Sequence, residues 1–467
     1  SAMQARTVRQ WMGWLLGSYA LASAMVHSVH AAGPDAAAII EHRQESLAYA
    51  IGLQAYFYGY PVVDYLRVMR DQTTPGRDAK NVYAPLNQIV FQEGLATPGG
   101  LYAGRGPNSS TLYFTAWLDV STKPLHVDVP ATDGRYYVLT WADLYSEVQH
   151  TGRRTTGTAA QRLLVAGPDW QGSVPEGVHL VRLATHQGYL LGRILVESEE
   201  DLATASGLMQ RIGVSGGSEK VDVTRLPDAA DLTSLEFFEH LNTFLRSNPR
   251  LPEEAQLMAQ MNQLGLGPAT DFNAELLPPG LRRGLERAVA DGHRILADSA
   301  RAAPLHIGWS KLSNETYGSY GFDYLRRATV EYHGFLGNQP DETVYLSALT
   351  DSAGAPLHGS QRYELVFTAD ALPPAAAFWA LNVYDAQTVD LIPNALGRYA
   401  ITDRMPDLKR REDGSVVVRL QQNPPSDPGV NWLPVNDGPL FVTLRFFEPE
   451  AAVLSGAYTP PPVEVLP

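Results

Sequence analysis

The chain has 467 residues, 45% apolar and 18% charged, enough to bury large cores, which excludes global disorder. Lys and Arg total 36 against 50 Asp and Glu, a net charge of −14, so the sequence predicts no nucleic-acid partner and little attraction to anionic lipid. Cysteine is absent, which removes disulfides, thiolate metal sites and cysteine nucleophiles together.

Arg6 and Arg9 precede an interrupted apolar run from Trp11 to Val26, and small residues follow at Val29-His30-Ala31. This layout predicts a secretory signal over residues 1–32, with Ser1-Ala2 before Met3 set aside as a cloning remnant. A periplasmic or secreted protein follows, with no stable membrane insertion after cleavage; a membrane anchor or a buried first helix is the alternative. Residues from about 36 to 70 read as helix, with Ile39, Ile40, Leu47, Ile51 and Leu53 at helical spacing ahead of Tyr56-Phe57-Tyr58. From about 108 to 197 the pattern becomes short alternating runs, such as Thr111–Leu118, Leu125–Val129, Arg135–Thr140 and Tyr189–Val196, separated by turn residues. Glu199–Ile212 reads as a helix, and residues from about 231 to 303 return to helical spacing with Asp231 as an N-cap. From about Thr316 the β pattern resumes, with Thr343–Leu349, Tyr363–Phe367, Phe378–Tyr384, Ser415–Leu420 and Leu440–Phe446.

The plan is therefore mainly β. It comprises a β domain with an N-terminal helix (36–212), a helical connector (213–310) and a β-sandwich domain (311–467). No repeat of 20–50 residues is present.

Several short motifs carry a resemblance. Pro107-Asn108-Ser109-Ser110-Thr111-Leu112-Tyr113, Gly134-Arg135-Tyr136-Tyr137, Asp143-Leu144-Tyr145 and Gly152-Arg153-Arg154-Thr155-Thr156-Gly157 resemble the DUF1254 domain. Gly318 to Arg327, Phe378-Trp379, Asn394 with Arg398-Tyr399, Asp413-Gly414-Ser415 and Asn431-Trp432-Leu433-Pro434 are similar to DUF1214. The resemblance implies two β-sandwich domains, one jelly-roll-like, in exported bacterial proteins that form homo-oligomers. It implies little about chemistry. The family usually carries Asp where this chain has Ser110, so any role of that Asp in chemistry or cation binding is in doubt here.

Motifs with a mechanism are few. Gly213-Val214-Ser215-Gly216-Gly217 fits G-x-S-x-G, but a helix precedes it and a polar loop follows, so it reads as a glycine-rich helix exit rather than a nucleophile elbow. No P-loop or G-x-G-x-x-G is present and no cofactor is predicted. No zinc-protease His pair occurs; a metal site assembled from distant residues stays open, with His126, His150, His179 and His186 in the first β region.

The densest polar cluster surrounds Asp143, Tyr145, His150, Arg153 and Arg154. As a cleft between the β domains it would use Asp143 as base, Tyr145 as proton donor and Arg154 as anion stabiliser in a hydrolase or lyase acting on a glycan or other small polar molecule. As structure, it would be a loop whose arginines pair with carboxylates. Asn108, Tyr113, Trp379, Arg398 and Trp432 are the candidate ligand-binding residues, since aromatic faces stack on rings and amides bind hydroxyls; the same aromatics also fill sandwich cores. A non-catalytic small-molecule or carbohydrate binder and a structural oligomeric module are the competing readings.

Overall fold

The computed structural model describes residues 34–301, 306–312 and 317–467. The expected export signal lies outside the described residues. The described chain opens with α1 (Pro34–Thr73), a helix that runs through Pro61. No described helix is long and apolar enough to cross a membrane.

The first sandwich follows. Strands β1 (Val90–Phe91), β2 (Thr111–Asp119), β3 (Leu125–Val129), β4 (Tyr137–Asp143), β5 (Val148–Gly152), β6 (Gln161–Ala166), β7 (Val178–Arg182) and β8 (Gln187–Leu195) come first. A helix, α2 (Leu202–Gln210), and strand β9 (Gly213–Gly216) complete it. One sheet has the order β1-β2-β8-β4-β5, the other β7-β6-β3-β9. Strand alternation builds the core between them: Leu112 and Phe114 of β2, Leu139 and Trp141 of β4, and Leu163 and Val165 of β6 all point inward. The glycine-rich run expected as a helix exit is in fact edge strand β9, whose Ser215 and Val214 pair with His126 and Val127 of β3. The G-x-S-x-G serine is thus a ladder residue.

Helices α3 (Glu236–Ser247), α4 (Ala255–Asn262), α5 (Pro279–Asp298) and α6 (Tyr324–Gly334) join α1 in a helical layer. Its apolar side rests on the outer face of the five-stranded sheet through Trp117, Ala142, Tyr145 and Tyr189. Small residues let α5 approach α1 closely. A Cβ on Gly284 would stand 2.4 Å from the Glu45 carbonyl oxygen, and one on Gly292 would stand 2.4 Å from the Tyr56 ring. Two boundaries differ from the sequence reading. Asp228, three residues earlier than Asp231, caps a short 3-10 turn, and Asp231 completes the capping box from its third position. The stretch Gly318–Arg327, read as the start of the second β region, instead leads into α6, whose first turn Asp323 caps by accepting from the Arg326 amide at 3.1 Å.

The second sandwich contains β10 (Thr343–Ala348), β11 (Tyr363–Phe367), β12 (Ala375–Asp385), β13 (Asp390–Leu391), β14 (Ala400–Thr402), β15 (Val416–Gln421), β16 (Asn431–Pro434), β17 (Leu440–Pro449) and β18 (Glu464–Val465). One sheet runs β10-β17-β12-β13 with β14 beside β12; the other runs β16-β15-β11-β18. Leu346, Phe367, Trp379, Leu381, Val418 and Leu444 fill the space between them.

The two sandwiches dock face to face. Tyr136, Val138 and Leu195 of the first meet Phe378, Ala380 and Phe447 of the second. Phe378 and Phe447 stack at 4.1 Å, and the Tyr136 ring stands edge-on to both at 5.6 and 5.5 Å. Tyr136 Oη donates to Glu342 Oε2 at 2.8 Å, and Arg154 Nε donates to Glu342 Oε1 at 3.2 Å. Arg153 Nη1 reaches both Glu448 oxygens at 2.8 and 2.9 Å. This junction leaves a space at one end, and the candidate site is built there.

Candidate functional site

The site begins with strand parity. On β8, Leu190, Gly192 and Ile194 face the sandwich core, so Tyr189, Leu191 and Arg193 face outward. Gly192 is required because the Phe114 ring lies where its Cβ would be, 2.0 Å away. Tyr113 of β2 is directly opposite Arg193 and shares its face. The second sandwich presents the same arrangement. On β17, Val442, Leu444 and Phe446 enter the core, which turns Thr443 and Arg445 outward, and Tyr345 of β10 is directly opposite Arg445. Each sheet therefore offers one cross-strand Arg/Tyr pair to the space between them. The guanidinium carbon of Arg193 is 5.5 Å from the Tyr113 ring centre, and that of Arg445 is 5.6 Å from the Tyr345 ring centre.

The C-terminal end of α6 closes the space. Val330, Gly334, Phe335, Leu336 and Gly337 line it together with residues of both sheets, enclosing about 550 Å³. Phe335 takes φ 63° and ψ −49°, a sparsely populated conformation for a residue with a side chain. Its carbonyl accepts from Tyr65 Oη at 2.7 Å, and its ring packs against Tyr65 at 4.6 Å and Tyr189 at 5.4 Å. Arg105 and Tyr345 stand at the solvent side, both exposed.

The electrostatics are one-sided. Among the described residues the lining contains Arg105, Arg193 and Arg445 and no Asp, Glu or His. Arg193 is 8% exposed and Arg445 is 6% exposed, and neither has an ion-pair partner among the described residues. Arg445 spends its terminal nitrogens on neutral acceptors. Nη1 donates to Asn382 Oδ1 (2.7 Å) and Tyr384 Oη (2.5 Å), and Nη2 donates to the Gly106 carbonyl (2.7 Å). Among the described residues its Nε has no partner, nor do Nε and Nη1 of Arg193. Asn338 Oδ1 and Thr343 Oγ1, also in the lining, are buried and unpartnered as well. Buried polar atoms without partners are rare in folded proteins, and here five of them belong to residues that line one cavity.

The residues singled out from sequence fall in three places. Asn108 and Tyr113 line the cavity. Asn108 turns its amide onto its own loop, accepting from the Ser110 amide at 2.7 Å and donating to Thr111 Oγ1 at 2.8 Å. That loop fastens to the second sandwich: Asn382 Nδ2 donates to Ser109 Oγ at 3.0 Å and Tyr384 Oη to the Pro107 carbonyl at 2.9 Å. Ser110, at the family's usual Asp position, is buried, and its carbonyl accepts from Val196 at 3.0 Å.

Asp143, Tyr145 and Arg154 do not meet around one space. Asp143 Oδ1 accepts from the amides of Tyr145 (2.9 Å) and Glu147 (3.1 Å), which closes the β4–β5 turn. Burial and then the Glu147 charge push its carboxyl up to about 7. Tyr145 lies in the helical layer, its hydroxyl accepting from Tyr58 Oη at 3.0 Å. Arg154 is the interdomain partner of Glu342 already described. Trp379 is a core residue stacked on Phe367 at 5.6 Å. Arg398 pairs with Asp407 at 2.7 Å, and Trp432 Nε1 donates to the Gln421 carbonyl at 2.9 Å. These three do not line the cavity.

The histidines are dispersed. His126 and His179 are exposed on strands, and His186 pairs with Asp169 at 2.7 Å. His150 is buried and held down to about 3 by burial, with Arg154 and Arg193 adding to the effect. No group of three or more potential metal ligands forms among the described residues.

Comparison with known families decides the kinship. Residues 86–215 match the family described as protein of unknown function DUF1254, and residues 342–451 match the one described as protein of unknown function DUF1214. The chain is a DUF1254/DUF1214 protein. Each domain of this DUF1254/DUF1214 protein is one sandwich, and Arg193 and Arg445 lie one in each, so neither domain alone forms the cavity. The VPA0106 protein from Vibrio parahaemolyticus is similar over 90% of this chain and 100% of its own, at 26% identity and a TM-score of 0.69. A protein from Burkholderia cenocepacia aligns over 94% of this chain and 98% of its own, at 12% identity and a TM-score of 0.44. No curated protein matches the chain.

Sequence reasoning missed Arg193, Arg445, Tyr345 and the end of α6. The available signal was a single Arg inside each of two apolar runs, Tyr189-Leu-Leu-Gly-Arg-Ile-Leu195 and Phe441-Val-Thr-Leu-Arg-Phe-Phe447.

Proposed function

We propose that the DUF1254/DUF1214 protein is a binding protein that holds a small molecule with an apolar body between its two sandwiches. One observation carries this reading: a cavity of about 550 Å³ at a domain junction, walled by Tyr113, Tyr189, Phe335 and Leu191, whose lining residues hold five unpartnered buried polar atoms. Ligand sites are concave, mostly apolar, carry a few convergent polar groups and concentrate at domain interfaces. The strained backbone at Phe335 supports the reading, because such conformations cluster at ligand clamps. Binding is favoured over hydrolysis or elimination because the described residues of the lining supply neither a carboxylate nor an imidazole to act as base. Export to the periplasm, read from the N-terminal signal pattern, and assembly as a homo-oligomer, read from the family resemblance, belong to the same proposal.

A fluorescence titration with 8-anilinonaphthalene-1-sulfonate tests it. The dye should brighten at one site per chain, and Leu191→Trp, which fills the cavity, should abolish the signal while the far-UV circular dichroism is unchanged. No saturable site, or a site untouched by Leu191→Trp, would overturn the proposal.

A further inference from the structure

We infer that the ligand is an organic oxyanion, held by Arg193 of the first sandwich and Arg445 of the second. This rests on the cavity being a binding site and adds the chemical class of what it takes.

A buried cation is ordinarily paired, since an unpaired one forfeits several kcal/mol of hydration. Elsewhere in this chain the rule holds at the same junction: Arg154 meets Glu342, and Arg153 meets Glu448. Arg193 and Arg445 are more buried than either and meet no carboxylate among the described residues. Strand pairing places both in the lining of one cavity, one from each sandwich. Three of their N–H-bearing nitrogens are unpartnered. The other described residues of the lining add no negative group, and Arg105 at the solvent side adds a third positive one. In a chain with a net charge of −14, such a local excess of cations is not a general property of the protein.

The tyrosines narrow the class. Tyr113 and Tyr345 stand beside the two guanidinium groups, where they place a flat apolar ring next to each charge. Phe335, Leu191 and Tyr189 supply further apolar wall. The space is also far larger than an inorganic ion needs. A carboxylate or phosphate ester on an aromatic or otherwise apolar body matches both halves of the site. Carboxylate and phosphate share the acceptor chemistry that Arg recognises, and the experiment separates them.

The test is isothermal titration of the full chain with 1-naphthoate, 1-naphthyl phosphate and the neutral isostere 1-naphthamide. At least one of the two anions should bind about tenfold or more tighter than the amide, because a hydrogen bond to a charged partner outweighs one to a neutral partner. Whichever anion binds more tightly names the headgroup. Arg193→Met should bring that anion to the level of the amide. Arg445→Lys, which keeps a cation but not the guanidinium, is the second variant and should weaken the anion alone. Equal binding of amide and anions would overturn the oxyanion and leave the cavity reading intact. An anion advantage that survives both variants would also overturn it. No binding of any of the three would overturn both.

Discussion

Arg193→Met should make the ligand-free protein more stable, an unusual expectation for a buried residue in the middle of a strand. Among the described residues Arg193, 8% exposed, has no counter-charge and leaves Nε and Nη1 without partners. Each unpartnered buried donor costs about 1–3 kcal/mol, so the two together cost about 2–6 kcal/mol. Removing the guanidinium also gives up its contact with the Tyr113 ring, worth about 0.5–2 kcal/mol. Methionine fills a similar length of apolar volume and adapts to irregular space. The net expectation is a gain of about 1–4 kcal/mol. The assay is urea unfolding followed by far-UV circular dichroism on extensively dialysed protein. A higher midpoint at unchanged slope is the expected result. A midpoint lower by the equivalent of about 1 kcal/mol would refute the reasoning, since it would mean that Arg193 already has a compensating partner. The same substitution should reduce the anion-induced gain in stability to that given by the neutral amide, which separates the cost of the empty site from its use.

Three other predictions test the frame around the site. Gly284→Val should cost at least about 1–3 kcal/mol in the same assay, because its Cβ would stand 2.4 Å from the Glu45 carbonyl, whereas Gly207→Ala in α2, with nothing within 4 Å, should be neutral or stabilising by about 0.5–1 kcal/mol. Tyr136→Phe should cost about 1–3 kcal/mol and a double-mutant cycle with Glu342→Gln should show coupling, because the pair is buried between the sandwiches. Asp143 is pushed up to about 7, so the folded state binds its proton more tightly than the unfolded chain does. Stability from this group is therefore highest near pH 4 and falls as pH rises to about 7, with a slope of up to about 1.4 kcal/mol per pH unit. Asp143→Asn keeps an acceptor for the Tyr145 and Glu147 amides, so it should flatten that slope and raise stability at pH 8; an unchanged profile in chemical unfolding between pH 4 and 8 would count against it.

Much of the frame was legible because it depends on local pattern. Leu125–Val129 alternates strictly, and its strand has those bounds. Thr111–Leu118 and Tyr189–Val196 were found because Val, Leu and aromatic residues recur between turn signals. The start of α6 was missed because its cap, Asp323, sits behind glycine and aromatic residues that read as strand and turn. The candidate site was less legible for a reason of parity. Asp143, Tyr145 and Arg154 are close in sequence, but a turn and a strand separate their directions: one closes the turn, one enters the helical layer, one crosses to the other domain. Arg193 and Arg445 point away from their own sandwich cores, which in an isolated sandwich means toward water. Only the docking of two such faces, 252 residues apart in the chain, buries them. Tyr113 was found because it lies in the same motif as the loop that makes the docking contact.

The most direct test of the account is a crystal structure of the full chain grown with 1-naphthoate. The account predicts the ligand between the two sandwiches, its ring against Phe335 and Tyr113 and its carboxylate within hydrogen-bond distance of the Arg193 and Arg445 guanidinium groups. A carboxylate of the chain itself seated on Arg193, with naphthoate elsewhere on the protein, would contradict it.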